Sequence, residues 1–177
     1  MIGHLELNNI FSTNQFGFCQ KRSADLQLLL TVHDLALSLN DKAQTDCILL
    51  DFSKAFDKVS HRLLLLKYYG ITEETINWIQ SFLTNRKQQV VCDGSSSKAV
   101  DITSGVPQGS VLGPLLFLTF INDLPSCIKS TCCLFADDCL LYRQIYSKCD
   151  SDILQNDLLC LEHCFVWNIT LSGTLGK

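Results

Sequence analysis

Basic residues and long apolar runs are both scarce in this sequence. The chain has 14 Lys and Arg against 18 Asp and Glu, which gives a formal net charge of −4. This balance argues against binding of nucleic acid through a broad basic surface. No apolar run approaches the roughly 20 residues that a membrane-spanning helix needs. Residues 1–15 contain Asn, His, Glu and Gln, unlike a secretory signal peptide. We therefore expect an intracellular protein of the nucleus or cytoplasm, neither secreted nor bound to a membrane.

Zinc-ligand spacing is missing too, although cysteine itself is abundant. The ten cysteines follow no spacing typical of a zinc site. Without a secretory route we expect them to be free thiols in a reducing compartment. The sequence is 47% hydrophobic and 18% charged, and its 177 residues suffice for one domain with a substantial core. We therefore expect a folded globular domain.

Two adjacent carboxylates, Asp137 and Asp138, stand between two apolar runs. These runs, Cys132–Phe135 and Cys139–Tyr142, predict two strands that meet at a tight turn. A carboxylate buried without a partner is costly or becomes neutral. We therefore expect both carboxylates to be exposed at the turn, where a divalent cation can bind. For an isolated Asp-Asp pair, an ordinary acidic hairpin turn is the alternative.

A third carboxylate, Asp51, ends another apolar run. Residues Cys47–Leu50 predict a buried strand, and two strands side by side in one sheet would bring Asp51 and Asp137 to the same edge. Clustered carboxylate oxygens suit Mg²⁺, which binds through one or two carboxylates plus substrate phosphates. Two such cations about 3.5–4 Å apart stabilise the attacking and leaving oxygens of a phosphoryl transfer.

The remaining patterns predict a mixture of helices and hairpins. Ser23 is placed to cap a helix over residues 24–39, with Leu26, Leu29, Leu30 and Leu37 on its apolar side. Further helices are predicted over 62–69, from 72 through 83, over 111–123 and over 150–166, and paired strands over 88–93 and 98–103. Such a mixture predicts an α+β fold rather than a doubly wound parallel sheet.

Three segments together resemble one family. They are Asp51–His61, Ser104–Pro114 and Phe135–Asp138, and in order and spacing they resemble the reverse transcriptase domain of LINE-type, jockey-like non-LTR retrotransposons. Residues Asn85–Gln88 and Asn122–Pro125 match the segments that lie between these blocks in the family.

The resemblance implies the fingers and palm of a right-hand polymerase, with an antiparallel palm sheet packed on helices and the thumb absent. Residues 1–177 would form a partial reverse transcriptase domain. About 1–45 would belong to the fingers, and about 46–177 mostly to the palm, with a fingers insertion around 62–105.

The same resemblance implies the roles of the carboxylates. Asp51 and Asp137 would hold two Mg²⁺ ions, for which Mn²⁺ is a possible substitute. The main-chain carbonyl of Phe52 would help to bind them, and Asp138 would take part less directly. The partners implied are an RNA template, a DNA primer and dNTPs, and the oligomeric state is left open.

Nucleotide contacts are also implied by the resemblance. Phe56 would stand as a sugar gate whose ring fills the space of a ribose 2′-OH, and a plain core aromatic is its alternative. Gln108 and Gly109 would lie near the incoming nucleotide, because glycine allows close backbone approach and glutamine offers a donor and an acceptor. Arg22 would contact the triphosphate or the template, or else be a solvated surface charge.

Two departures from the family pattern lead us to expect weak or no activity. Cys19 follows Gly17-Phe18 where the family has an arginine. Trp167-Asn168 begins like the family's C-terminal segment, but the expected lysine is displaced to Lys177. The predicted function is an RNA-directed DNA polymerase that adds dNTPs to a primer 3′-OH. The alternatives are a catalytically inactive remnant and a non-catalytic RNA-binding module.

Overall fold

The chain divides into two compact units, each formed by two stretches of sequence. The computed structural model describes residues 1–61, 64–164 and 169–175. One unit combines residues 1–10 with 54–120, and the other combines residues 11–53 with the chain from Ile121 onward. None of the described helices is both long enough and apolar enough to cross a membrane.

The second unit is built on a four-stranded sheet. Its strands, β1 (Gln44–Phe52), β6 (Thr131–Phe135), β7 (Asp138–Ile145) and β8 (Ile169–Leu175), lie in the order β6-β7-β1-β8. Every adjacent pair is antiparallel. The two strands predicted on either side of the Asp pair and the strand before Asp51 are confirmed, and β8 was not predicted. The mixture of helices and antiparallel strands confirms the α+β class.

The middle of one face of this sheet is apolar. Side chains alternate between the two faces of a strand, and five apolar side chains of this face are at most 3% exposed; they are Leu50, Cys132, Leu134, Cys139 and Leu141. Helix α6 (Lys148–Cys164) packs on β7.

Helix α6 contributes both apolar and polar contacts from its buried side. Leu154 and Leu161 are buried. The buried carboxylate of Asp157 accepts hydrogen bonds from the backbone nitrogens of Lys129 (3.0 Å) and Ser130 (2.7 Å). The helix predicted over 150–166 is therefore confirmed within the described residues.

The other face of the sheet is partly covered by helix α2 (Ala24–Asn40), which begins with the predicted cap. The hydroxyl of Ser23 accepts a hydrogen bond from the Leu26 nitrogen at 3.1 Å. Leu35 packs against a cluster formed by Cys47, Cys133 and Tyr142.

The prediction that the leucines of α2 form its buried side is wrong. Leu26, Leu29, Leu30 and Leu37 are 38–66% exposed, whereas Thr31 and Ser38 are buried. The polar side faces the sheet because the sheet offers hydrogen-bonding partners there. Tyr142 donates to the Asp34 carboxylate at 2.7 Å, and the hydroxyls of Ser38 and Thr45 are 2.5 Å apart.

The first unit is mainly helical. Its helices are α1 (Ile2–Leu7), which was not predicted, α3 (Leu64–Tyr68), α4 (Glu73–Leu83) and α5 (Leu112–Ile121), whose last residue is assigned to the second unit. The predicted helices are thus confirmed, although the start of the one over 62–69 lies outside the described residues. Gly70 follows α3 with φ +75°, as expected for a glycine that ends a helix.

The predicted hairpin of this unit is interrupted. β2 (Lys87–Gln88) pairs with β5 (Val100–Asp101), and β3 (Val91–Cys92) pairs separately with β4 (Ser95–Ser96). The inner turn is Asp93-Gly94, and both residues have positive φ. These strand residues are exposed, so the alternation of side chains does not determine one continuous register.

Candidate active site

Three carboxylates lie at one end of two neighbouring strands. Asp51 on β1 is directly opposite Asp138 on β7, and residues paired in this way in an antiparallel sheet have side chains on the same face with Cβ atoms about 4.5–5.5 Å apart. Asp137 belongs to the two-residue turn between β6 and β7. Its carbonyl oxygen accepts a hydrogen bond from the Phe52 nitrogen at 3.2 Å. The structure therefore brings the ends of both segments together.

The electrostatics of this group favour a cation. Partial burial of the Asp138 carboxyl raises its pKa, and the negative charges of Asp137 and Asp51 raise it further. Three carboxylates that repel one another are stabilised by any positive charge placed among them. Asp51 and Asp138 are exposed and Asp137 is half-buried, so solvent ions can reach them.

The donor set fits a metal that also binds substrate. Within the described part of the chain, no three Asp, Glu, His or Cys side chains are arranged to hold a metal ion by themselves. Mg²⁺ does not require this, because it is usually bound by one or two carboxylates together with substrate phosphates and water. Carboxylate oxygens are the ligands that this hard cation prefers, and Asp51, Asp137 and Asp138 supply them.

The turn that carries Asp137 is held from outside the sheet, by residues that the sequence did not reveal. Gln15, which is buried, accepts hydrogen bonds on Oε1 from the nitrogens of Ala136 (3.0 Å) and Gly17 (2.7 Å). A Cβ at position 17 would overlap the backbone nitrogen of Ala136. Gly17 between two aromatic residues was a sequence signal of close packing. Nothing in the sequence distinguished Gln15 from an exposed loop glutamine.

Arg22 stabilises the same loop. Its Nη1 donates to the carbonyl oxygen of Ser12 at 2.6 Å and to that of Gln15. Both hydrogens of Nη1 are therefore used, whereas an arginine side chain has five N–H donors in total. The structure thus gives Arg22 a role in holding the loop, and its contact with a triphosphate stays a prediction.

The predicted nucleotide residues Phe56, Gln108 and Gly109 belong to the first unit. The ring of Phe56 packs on the ring of Phe117, with centroids 4.9 Å apart and planes tilted by 30°. The Phe56 carbonyl accepts from the Val106 nitrogen at 2.9 Å. Gln108 and Gly109 are exposed.

The loop that leads to Gln108 is held by hydrogen bonds to Gly105. Gly105 has φ +79°, and a Cβ there would lie 2.6 Å from the Asp57 carbonyl oxygen. Its own carbonyl accepts from Arg86 Nη2 at 2.7 Å and contacts His61 Nε2 at 2.8 Å. The sequence pointed to the glycine-containing loop but assigned no role to Arg86 or His61.

The predicted C-terminal segment is described only in part. β8 pairs with β1 through residues including Ile169 and Leu175, so this segment extends the sheet that carries Asp51. Trp167, Asn168 and Lys177 lie outside the described residues.

Comparison with known proteins agrees with the resemblance. The family described as reverse transcriptase (RNA-dependent DNA polymerase) matches residues 1–171. The chain is 32% identical over 166 residues to a probable RNA-directed DNA polymerase from transposon X-element of Drosophila melanogaster, which covers 86% of this chain and 17% of that protein. It is 35% identical over 136 residues to the RNA-directed DNA polymerase from mobile element jockey of Drosophila funebris, covering 71% of this chain and 15% of that protein.

A retrotransposable element of another insect gives a similar result. The chain is 35% identical over 108 residues to the retrovirus-related Pol polyprotein from type-1 retrotransposable element R2 of Popillia japonica, which covers 52% of this chain and 18% of that protein. The chain thus spans less than a fifth of the length of each of these relatives. Because the family pattern covers nearly the whole chain, the chain belongs to the reverse transcriptase (RNA-dependent DNA polymerase) family, as the three sequence segments predicted.

Proposed function

We propose that this chain carries a polymerase site that adds dNTPs to the 3′-OH of a DNA primer on an RNA template, by phosphoryl transfer with two metal ions. The observation that carries the proposal is the pairing of Asp51 with Asp138 across two strands, with Asp137 in the adjoining turn. The family to which the chain belongs and the names of its relatives support the same chemistry.

The carboxylates have the role of holding the cations. Asp51 and Asp137, with the main-chain carbonyl of Phe52, would bind two Mg²⁺ or Mn²⁺ ions, and Asp138 would contribute less directly. When bound, the ions supply charge stabilisation for the attacking and leaving oxygens. The protein itself supplies positioning, since phosphoryl transfer needs little covalent help from side chains.

The proposal assigns discrimination between ribose and deoxyribose to Phe56. In this proposal the ring of Phe56 excludes a ribose 2′-OH, and its packing on the Phe117 ring restricts its movement. Gln108 and Gly109 contact the incoming nucleotide or its templating base, and Arg22 offers Nε and Nη2 to the triphosphate.

The assignment to a right-hand polymerase belongs to the same proposal. Residues of about 1–45 and 62–105 form fingers parts, and the four-stranded sheet forms the palm. The RNA template, DNA primer and dNTPs are the proposed partners, and an intracellular location in nucleus or cytoplasm follows from them.

Primer extension tests the proposed reaction. Purified protein, Mg²⁺, dTTP and poly(rA)/oligo(dT) are used, and Asp137→Asn and Asp51→Asn are compared with Asp152→Asn, an exposed position on α6. We expect weak incorporation by the wild type. The first two variants should lose at least about 100-fold of it, because preorganised charge stabilisation is worth this much, and the third should be unchanged. Equal activity in all four proteins would contradict the proposal, and tight template binding without incorporation would favour a binding module.

The sugar gate has its own test. In Phe56→Ala the ratio of ribonucleotide to deoxyribonucleotide incorporation should rise, because the ring no longer fills the space of the 2′-OH. A ratio that stays at the wild-type value, with incorporation of dTTP retained, would show that Phe56 is a core aromatic and not a gate.

A further inference from the structure

Gln15 is a buried polar residue in a loop that contacts the turn before Asp137. Only 3% of it is exposed, although it lies outside every helix and strand. The loop is attached to β6 on both sides of Gln15, since Phe16 nitrogen donates to the Leu134 carbonyl at 2.7 Å and Leu134 nitrogen donates to the Asn14 carbonyl at 2.8 Å. The position of the Gln15 backbone beside β6 is therefore fixed by hydrogen bonds.

The turn needs such support because of the conformation of Ala136. This residue has φ +54° and is the first of the two residues that join β6 to β7. Positive φ at this place is the pattern of a type II′ hairpin turn, which normally has glycine there. A side chain makes this conformation unfavourable, so contacts outside the hairpin must stabilise it.

Gln15 contacts the peptide groups on both sides of Ala136. Its Oε1 accepts from the Ala136 nitrogen at 3.0 Å, and its Nε2 donates to the Ala136 carbonyl oxygen at 3.4 Å. A second bond on Oε1, from the Gly17 nitrogen at 2.7 Å, orients the amide. One side chain thus satisfies both polar backbone groups of the strained residue.

We propose that Gln15 is a positioning residue that holds Ala136 at its positive φ and thereby sets the direction of Asp137 and Asp138. The hydrogen bonds from the Gln15 side chain to the turn go to backbone atoms of Ala136, so in this proposal it acts through the turn and not on substrate. The catalytic consequence rests on the function proposed above, whereas the effect on the turn does not.

The direct test replaces Gln15 by an apolar residue of similar length. Gln15→Met is compared with Gln144→Met, the same change at the far end of β7. We expect amide hydrogen exchange at Ala136 to accelerate about tenfold or more in the first variant only, because its protecting acceptor is lost. In primer extension kcat should fall roughly 10- to 100-fold, as small displacements of catalytic groups do, with KM for dTTP unchanged within about twofold.

A second change distinguishes positioning from a general loss of stability. Glycine adopts positive φ freely, so Ala136→Gly added to Gln15→Met should recover a large part of the lost kcat, while Ala136→Gly alone should change kcat little. Unchanged exchange at Ala136, an equal effect of Gln144→Met, or no recovery in the double variant would each overturn the proposal. If Gln15→Met does not fold, Gln15→Asn keeps the amide but is too short to reach Ala136, and the same exchange result is expected.

The two proposals fail separately. If neither the wild type nor any variant incorporates nucleotide, the proposed function is wrong. The exchange rate at Ala136 then still decides whether Gln15 holds the turn.

Discussion

Helices α2 and α6 are both 17 residues long and pack on opposite faces of the same sheet. Helix α6 turns its apolar side towards the sheet, whereas α2 turns its polar side towards it. Helix α6 buries leucines and one carboxylate that binds backbone nitrogens. Helix α2 buries Thr31 and Ser38 and leaves most of its leucines in solvent. Cys132 and Cys133, neighbours on β6, show the arrangement directly, because Asp157 of α6 lies near the first and Asp34 of α2 near the second.

The difference shows that the surface receiving a helix decides which of its sides is buried. The middle of the face below α6 is apolar, so leucines gain free energy by packing on it. The face below α2 carries the hydroxyls of Tyr142 and Thr45, which would lose hydrogen bonds under leucines. Matched substitutions in the two helices can confirm or refute this comparison.

The largest difference is expected between two leucines. Leu161→Ala in α6 should lower the free energy of unfolding by about 3–5 kcal/mol, because a fully buried side chain is removed and a cavity is left. Leu29→Ala in α2 should change it by less than about 0.5 kcal/mol, because the side chain is mostly exposed. Urea unfolding of both variants measures this. Equal losses would mean that the exposed side of α2 contributes to the core.

A smaller loss is expected when the buried carboxylate of α6 is removed. Asp157→Ala leaves the nitrogens of Lys129 and Ser130 without their acceptor and should cost about 2–3 kcal/mol. Asp34→Ala in α2 should cost about 1 kcal/mol, since it removes one bond to the Tyr142 hydroxyl. Urea unfolding again provides the measurement. A larger loss for Asp34→Ala would mean that the carboxylate of α2, and not that of α6, contributes more to stability.

The N-terminus of α2 should contribute about as much as an ordinary cap. Ser23→Ala removes the acceptor of the Leu26 nitrogen, and we expect a loss of about 1 kcal/mol. Ser23→Asp should retain most of the stability, because aspartate caps as well as serine does. If both variants lose the same amount, the contact seen for Ser23 does not stabilise the helix.

The smallest expected effect is the pH dependence that Asp150 of α6 contributes. Asp150 accepts from Arg143 and from the hydroxyl and nitrogen of Ser147, and these bonds lower its pKa in the folded protein. Its contribution is therefore present above the unfolded value of about 3.9 and is lost as the pH falls through the lower folded value.

Urea unfolding of wild type and Asp150→Asn across this pH range checks the sign. The difference between them should shrink as the pH falls. A difference that grows toward low pH would contradict the lowered pKa of Asp150 in the folded protein. Because serine does not titrate, the loss of stability in Ser23→Ala should not depend on pH in the same range.

The sequence predicted secondary-structure elements more accurately than contacts between side chains. Apolar runs predicted the strands before Asp51 and on either side of the Asp pair, because buried strands leave a strong pattern. The buried side of α2 was predicted wrongly, because hydrophobicity alone does not show that its polar side meets hydrogen-bonding groups, such as the Tyr142 hydroxyl that donates to Asp34 from 108 residues away. Gln15 was missed for the same reason: its role depends on Ala136, which no local pattern connects to it.

The central claim is that Asp51, Asp137 and Asp138 share one site for divalent cations. Paramagnetic broadening by Mn²⁺ tests it without requiring catalysis. In the wild type, Mn²⁺ added below one equivalent should broaden the amide NMR signals of residues 135–139 before those of the far end of β7. In the variant that combines Asp51→Asn with Asp137→Asn, this selective broadening should disappear. Equal broadening in both proteins would contradict the account.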